Sequence, residues 1–120
     1  FLKLKIKIKI RKIKIKNMGL LSMLGLGGNK SQEIKEFVER GAIIIDVRST
    51  GEFQGGHIKG SKNIPLNTIS SKIAEIKKFN KPVIACCASG MRSAQATSIL
   101  TSNGIEAMNG GGWSSLESKL

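Results

Sequence analysis

The sequence predicts a compact α/β domain with a small, mainly parallel sheet and helices on both faces. Residues 42–45 and 83–86 are short apolar runs of the length that is typical of buried strands, and residues 105–108 are predicted to form a last short strand. Segments with apolar residues at helical spacing lie between these runs and are joined to them by short connections. Alternating strands and helices of this kind form right-handed crossovers that cover both faces of one sheet. A chain of 120 residues is long enough for one such domain with one modest core.

The positive charge is concentrated at the start of the chain. Residues 1–17 hold eight Lys or Arg and no acid, whereas the following residues hold twelve basic and eight acidic side chains. We interpret residues 1–17 as a basic low-complexity leader, disordered or derived from an expression vector, since Met18 follows it as a natural start. A membrane-surface or nucleic-acid arm is the alternative. The domain itself is only mildly basic, and we expect no nucleic-acid partner.

Residues 18–29 form an apolar and glycine-rich run that we predict to be a flexible segment preceding a folded domain at residues 30–120. The run is too short to span a bilayer, which needs about 20 apolar residues, so no membrane span is expected. Two adjacent cysteines, Cys86 and Cys87, cannot form a disulfide framework. A reducing compartment, the cytoplasm, is therefore predicted, with an exported or periplasmic protein as the alternative.

The first helix is expected to begin at Asn29 or Ser31 and to end at Gly41, where a left-handed residue is favoured. Its apolar face consists of Ile34, Phe37 and Val38. The strand at residues 42–45 follows, and Asp46 and Arg48 stand at its carboxyl end, which is where ligands bind in parallel sheets. A carboxylate and a guanidinium at this point would either contact a substrate or brace the loop.

The spacing of Ser49 and Glu52 matches a capping box, which predicts a short helix ended by Gly55 and Gly56. Residues 62–65 are a short strand closed by a proline. A helix beginning at Asn67 or Thr68 turns three isoleucines inward: Ile69, Ile73 and Ile76. Residues 93–103 form a helix stopped by Gly104, and Trp113 opens a short terminal helix with Leu116.

The central strand leads into a loop that begins with a thiol and ends with a guanidinium. Residues 87–92 read CASGMR, so the loop runs from Cys87 to Arg92 and contains Gly90, which can adopt a left-handed conformation. A loop between a strand and a helix N-terminus directs backbone N–H groups into one space, where the helix dipole also favours negative charge. A cysteine there is expected to ionise more easily than a free thiol.

Three motifs carry a resemblance to a known family. Residues 87–93 read Cys-x-x-Gly-x-Arg-Ser after an apolar strand, residues 46–65 read DVRSTGEFQGGHIKGSKNIP, and residues 110–113 read GGGW. Together, and in this order, they resemble the single-domain rhodanese-like sulfurtransferases over residues 30–120. The expected fold is therefore a rhodanese-like domain.

The resemblance implies that a sulfane sulfur moves from thiosulfate, or another persulfide donor, to cyanide or a thiol acceptor, which could be a protein thiol. Cys87 would attack the donor and become a persulfide, without a metal or an organic cofactor. The substrate-binding residues would be Arg92 and the backbone of Ala88, Ser89, Gly90 and Met91. Lys59 or Lys62 could also attract the anionic donor. The resemblance implies structural roles near the site for Asp46, Arg48 and His57. A metal site at His57 is not expected, because no Cys or carboxylate follows or precedes it at the spacing of metal ligands.

Two other functions remain open. Counted from Cys86, the stretch is Cys-x5-Arg, the spacing of cysteine-dependent phosphatases and arsenate reductases. Cys87 is favoured because neighbouring side chains of a strand point to opposite faces, so only one of the two cysteines can face the loop. Cys86 is then a buried apolar residue that could assist persulfide release. The other possibility is a noncatalytic rhodanese-like module that binds or carries sulfur for a partner.

Overall fold

The computed structural model describes residues 30–120, and the fold is that of the unit Ile34–Leu120. The expectations for residues 1–17 and 18–29, and for a cap at Asn29, lie outside the described residues. Four strands are present in this part of the chain: β1 Ile43–Asp46, β2 Lys62–Asn63, β3 Val83–Cys87 and β4 Ala107–Gly112. Five α-helices and one 3₁₀ helix accompany them: α1 Lys30–Glu39, α2 Thr50–Gln54, the 3₁₀ helix Leu66–Lys72, α3 Ile73–Lys78, α4 Met91–Ser102 and α5 Trp113–Glu117.

The four strands form one parallel sheet in the order β2-β1-β3-β4. This arrangement confirms the predicted α/β class with a parallel sheet. A hydrophobic cluster lies on each face of the sheet, as expected when crossover helices cover both faces. One cluster includes Ile69 and Leu100 and the other Ile34 and Leu116, all of them fully buried.

Alternation along β3 divides its side chains between the two clusters. Val83, Ala85 and Cys87 belong to one cluster, whereas Ile84 and Cys86 belong to the other. All five residues are buried. The two adjacent cysteines therefore lie on opposite faces of the sheet, which is the expected consequence of a two-residue repeat.

Strand β4 runs further than the sequence predicts, from Ala107 through the three glycines to Gly112. Its register with β3 shifts between Ala85 and Cys86, so that Ala85 pairs with Asn109 but Cys86 pairs with Gly111. The glycine that is skipped, Gly110, has no room for a side chain, since a Cβ there would lie 2.7 Å from Ile84 Cγ2. This bulge brings the end of β4 against the loop that follows β3.

Several local expectations are confirmed. Gly41 and Gly104 adopt the left-handed conformation after α1 and α4, with φ of +81° and +79°. Ser49 caps α2 in a complete capping box with Glu52. Two others are wrong: Val38 is 44% exposed and does not belong to the core, and the helix predicted from Asn67 or Thr68 begins at Leu66 as a 3₁₀ helix.

The 3₁₀ geometry has a local cause. The hydroxyl of Thr68 donates to the carbonyl of Pro65 at 2.8 Å, and the hydroxyl of Ser71 donates to the carbonyl of Thr68 at 2.7 Å. Such bonds to carbonyls three residues earlier favour the tighter turn over the α-helix. None of the helices between residues 30 and 120 has the length and hydropathy needed to cross a bilayer.

Candidate active site

The loop between β3 and α4 is shorter than predicted. Cys87 is the last residue of β3 and Met91 the first of α4, so the loop consists of residues 88–90. Gly90 is the N-cap of α4 with a φ of +104°, and a Cβ there would lie 3.3 Å from Gly111 Cα. Both the backbone angle and the close approach of β4 require glycine at this position.

The sulfur of Cys87 lies among hydrogen-bonding groups at the N-terminus of α4. The N–H of Gly90 donates to Sγ at 2.9 Å, the N–H of Ser93 lies at 3.4 Å, and the hydroxyl oxygen of Ser93 at 3.2 Å. Only 1% of the residue is exposed, and this burial raises the pKa of the thiol. Hydrogen bonds that Ser93, Gly90 and Ser89 can donate to the thiolate outweigh burial, and the pKa of Cys87 is lowered from its ordinary value.

Cys86 has the opposite electrostatic environment. It is fully buried in the cluster that contains Ile34 and Leu116. Burial, helped by the charge of Asp46, raises the pKa of its thiol to about 12. Of the two neighbouring thiols, Cys87 is therefore the one that ionises more readily.

No role was predicted for Ser93 or Asn109, although both lie in the site. The hydroxyl of Ser93 is 2.6 Å from Oδ1 of Asn109, and Nδ2 of Asn109 donates to the carbonyl of Gly90 at 3.0 Å. Asn109 therefore ties β4 to both the loop and the first turn of α4. Ser93 could have been noticed as the last residue of the Cys-x-x-Gly-x-Arg-Ser motif, whereas no sequence pattern indicates Asn109.

Asp46 and Arg48 form a buried ion pair at the end of β1. The carboxylate of Asp46 accepts from the backbone N–H of Arg48 at 3.0 Å and from its guanidinium at 2.7 Å. The guanidinium also donates to the carbonyls of Glu52 and Gly56 and lies 4.7 Å from the centre of the Trp113 ring. Both charges thus bind partners within the protein, an arrangement that supports the loop after β1.

Arg92 lies in the first turn of α4 and not in the preceding loop. Its guanidinium makes a two-point ion pair with Glu52, with N–O distances of 2.8 and 3.0 Å. The hydrogen bond to Arg92 and those from Ser49 lower the pKa of Glu52 to about 2. The positive charge nearest the predicted anion site is therefore balanced by a carboxylate, an arrangement that the sequence did not indicate.

Of the remaining predicted site residues, three lie in the loop or directly after it. Ala88 and Ser89 are exposed, as is Met91, with 77% of its surface accessible. His57 Nδ1 lies 2.8 Å from the carbonyl of Phe53, and the two rings are stacked. Within residues 30–120, no group of three His, Cys, Asp or Glu side chains is arranged to hold a metal ion.

The two lysines that were predicted to attract the anionic sulfur donor, Lys59 and Lys62, lie outside the loop at residues 88–90. Lys59 is exposed, and the ammonium of Lys62 lies 5.0 Å from the centre of the Phe79 ring. Cation–ring contacts of this kind are weak at exposed sites. The contact described for the Lys62 ammonium is thus with the Phe79 ring and not with the loop at residues 88–90.

Together, the parallel sheet and the thiol held at the N-terminus of α4 define an α/β domain with a candidate nucleophilic cysteine. The profile of the Rhodanese-like domain family matches residues 30–119. The chain belongs to this family, as the resemblance predicted.

Three known proteins illustrate the similarity. An uncharacterized protein of Bacillus subtilis, YqhL, is 45% identical over 65 residues, or 54% of this chain and about half (51%) of its own length. The thiosulfate sulfurtransferase GlpE of Pseudoalteromonas translucida is 33% identical over 84 residues, which are 68% of this chain and 79% of that protein. A solved structure described as rhodanese with anions from Escherichia coli has a TM-score of 0.57 and 34% identity, covering 62% of this chain and 89% of that one.

Proposed function

We propose that this protein is a sulfurtransferase that moves a sulfane sulfur from thiosulfate, or another persulfide donor, to cyanide or a thiol acceptor. The observation that carries the proposal is the environment of the Cys87 sulfur. The sulfur accepts hydrogen bonds from backbone N–H groups at a helix N-terminus, and the pKa of the thiol is lowered. The similarity to GlpE, a thiosulfate sulfurtransferase, supports the choice of donor. The E. coli rhodanese solved with anions supports an anionic substrate.

The reaction has two steps. In the first, the Cys87 thiolate attacks the outer sulfur of thiosulfate, a bond forms between the two sulfurs, and sulfite leaves with the electron pair of the broken S–S bond. In the second, cyanide or an acceptor thiolate attacks the outer sulfur of the Cys87 persulfide, and the Cys87 thiolate leaves. No net oxidation and no cofactor are needed, and the path predicts ping-pong kinetics.

The groups around the loop have distinct roles in this scheme. The N–H groups of residues 88–92 and of Ser93 would stabilise the anionic persulfide, aided by the N-terminus of the twelve-residue helix α4. Arg92 would attract the anionic donor. Asp46, Arg48 and His57 would hold the surrounding turns in place.

The proposed function is tested by assaying the purified protein with thiosulfate and cyanide beside a phosphoester substrate. We expect thiocyanate formation with ping-pong kinetics and no phosphoester hydrolysis. Phosphoester hydrolysis without sulfur transfer would favour the Cys86-x5-Arg92 phosphatase or arsenate reductase. A high pKa and full burial weigh against Cys86 as that nucleophile. A stable persulfide that no small acceptor removes would favour a sulfur-carrying module that needs a partner protein.

Changing the Arg92–Glu52 pair is expected to alter the use of anionic donors without unfolding the domain. Arg92→Ala should lower kcat/KM for thiosulfate about tenfold or more, because a charged hydrogen-bond donor is lost. Arg92→Lys should recover only part of this loss, since it cannot form two parallel bonds. Glu52→Gln should lower KM by up to about fivefold, because it releases the guanidinium from an exposed ion pair. Initial-rate kinetics at several thiosulfate concentrations measure these changes.

Glu52→Gln isolates the charge, since glutamine also completes a capping box with Ser49. The pKa of Glu52 is about 2 in the folded protein, below its ordinary 4.5. The ion pair is therefore fully formed above pH 4.5 and is lost only as the pH falls towards 2, so Glu52 stays charged in assays near neutral pH. Unchanged thiosulfate kinetics in all three variants would mean that the backbone alone binds the donor.

A further inference from the structure

The carboxamide of Asn109 has an orientation fixed by two unambiguous partners. The carbonyl of Gly90 can only accept, so the atom 3.0 Å from it is the donor Nδ2. The N–H of Gly111 can only donate, so the atom 2.9 Å from it is the acceptor Oδ1. Both contacts give the same orientation, and the oxygen therefore faces Ser93.

This orientation determines where the Ser93 hydroxyl points its proton. Oδ1 of Asn109 lies 2.6 Å from Oγ of Ser93 and can only accept, so the hydroxyl donates to it. The same Oγ lies 3.2 Å from the sulfur of Cys87. With its single proton directed at Asn109, Ser93 presents only lone pairs to the sulfur. The thiol of Cys87 is then the donor in this contact.

Ionisation of Cys87 reverses the direction of the hydrogen bond that its contact with Ser93 requires. A thiolate has no proton to donate, and the lone pairs of Ser93 would face a negative charge. The contact becomes favourable when the hydroxyl turns towards the sulfur, which leaves Oδ1 of Asn109 with the N–H of Gly111 as its remaining donor. We propose that Asn109 is a positioning residue that controls the ionisation of Cys87 by competing with its thiolate for the Ser93 proton.

The inference rests on the proposed function only in taking Cys87 as the nucleophile, and it assigns the neighbouring β4 a part in the chemistry. The residues of β4, Ala107–Gly112, carry no charged side chain. Arg92 of α4 interacts electrostatically with Cys87, and Glu52, Asp46 and Arg48 are the charged groups that interact with Arg92 or with the neighbouring Cys86. All four groups remain the same in every variant below. A change in the pKa of Cys87 therefore reports the hydrogen bond and not an altered charge, except where a carboxylate is introduced.

The test measures the pH dependence of iodoacetamide alkylation in the full-length protein, without any sulfur donor. All variants carry Cys86→Ala, so that Cys87 is the only thiol. With Ser93 intact, Asn109→Ala should lower the pKa of Cys87 by about one unit, which is about a tenfold faster alkylation at pH values below the pKa. The isosteric Asn109→Asp should raise it, because a carboxylate holds the Ser93 proton more strongly and adds a negative charge.

A second background separates this effect from a looser loop. Asn109→Ala also removes the bond to the carbonyl of Gly90, and a loosened loop would raise the pKa whether or not Ser93 is present. We therefore repeat the substitution in Ser93→Ala, where competition for the proton is impossible. The change in pKa caused by Asn109→Ala should be more negative, by about one unit, with Ser93 than without it. Equal changes in the two backgrounds would overturn the proposal.

The outcome does not depend on whether the protein transfers sulfur. The pH dependence of alkylation reports the ionisation of Cys87, so a failed thiosulfate assay would leave this measurement intact. Circular dichroism and thermal unfolding identify any variant that does not fold. If Asn109→Ala is unfolded, Asn109→Asp replaces it in the comparison, and a rise in pKa of the same size with and without Ser93 would count against the proposal.

Discussion

Replacing Cys87 by serine should abolish sulfur transfer, whereas replacing Cys86 by alanine should leave most of the activity. The sulfur of Cys87 accepts hydrogen bonds from N–H groups at the start of α4, and the pKa of this thiol is lowered. Burial raises the pKa of Cys86 to about 12. A serine hydroxyl does not ionise near neutral pH, so the Cys87 variant has no nucleophile. The loss should amount to several orders of magnitude in kcat/KM, measured as thiocyanate formed from thiosulfate and cyanide.

Mass spectrometry of the thiosulfate-treated protein gives an independent measurement. One added sulfur atom should appear on Cys87 in the wild type and in Cys86→Ala, and none should appear in Cys87→Ser. Cys86→Ala is the matched control, since it removes the thiol of the adjacent residue, which lies on the opposite face of the sheet. An inactive Cys86→Ala and an active Cys87→Ser would show that the reaction uses the other register and belongs to another class.

Asp46→Ala should destabilise the domain more than any other change near the site. The carboxylate of Asp46 is fully buried and is paired with Arg48, whose side chain is 5% exposed. Removing one member of a buried pair leaves an uncompensated charge and typically costs about 3 to 5 kcal/mol of unfolding free energy, a large part of the stability of a small domain. Denaturant unfolding followed by circular dichroism measures this loss.

Asp46→Asn is the matched control for this prediction. The asparagine oxygen can still accept from the backbone N–H of Arg48, which lies 3.0 Å from Oδ1 of Asp46, so we expect a smaller loss of stability than in Asp46→Ala. In folded samples of either variant, sulfur transfer should be affected less than stability. Wild-type stability together with lost turnover would instead place Asp46 among the groups that contact the substrate.

Local patterns predicted the parts of the fold that depend on neighbouring residues. The capping box at Ser49 and the left-handed glycines after α1 and α4 are set by a few consecutive residues, and the structure confirms them. The assignment of the thiol to Cys87 followed from the two-residue repeat of a strand. The structure confirms that the two cysteines face opposite clusters.

Features that join distant segments could not be predicted in this way. Glycines have no side chain and so no periodicity, and the extension of β4 to Gly112 was missed for this reason. The pairs Glu52–Arg92 and Ser93–Asn109 join elements that are separated along the chain. The loop was predicted to be too long because α4 begins directly after Gly90, which adopts a left-handed conformation, and not after a Ser, Thr, Asp or Asn side chain that would mark an N-cap in the sequence.

The central position of β3 in a fully parallel sheet affects how this domain folds. On one side β3 pairs with β1 in a register that joins Val83 to Ile43, 40 positions earlier, and on the other it pairs with β4, joining Val83 to Ala107, 24 positions later. Such distant contacts require large loops to close first and slow the folding of a chain. The donors around the Cys87 sulfur come together only when α4 is docked on this sheet. During refolding of Cys86→Ala at mildly acidic pH, where an ordinary thiol is largely protonated, a rise in the alkylation rate of Cys87 should therefore mark the completion of the sheet and follow the earlier formation of helices.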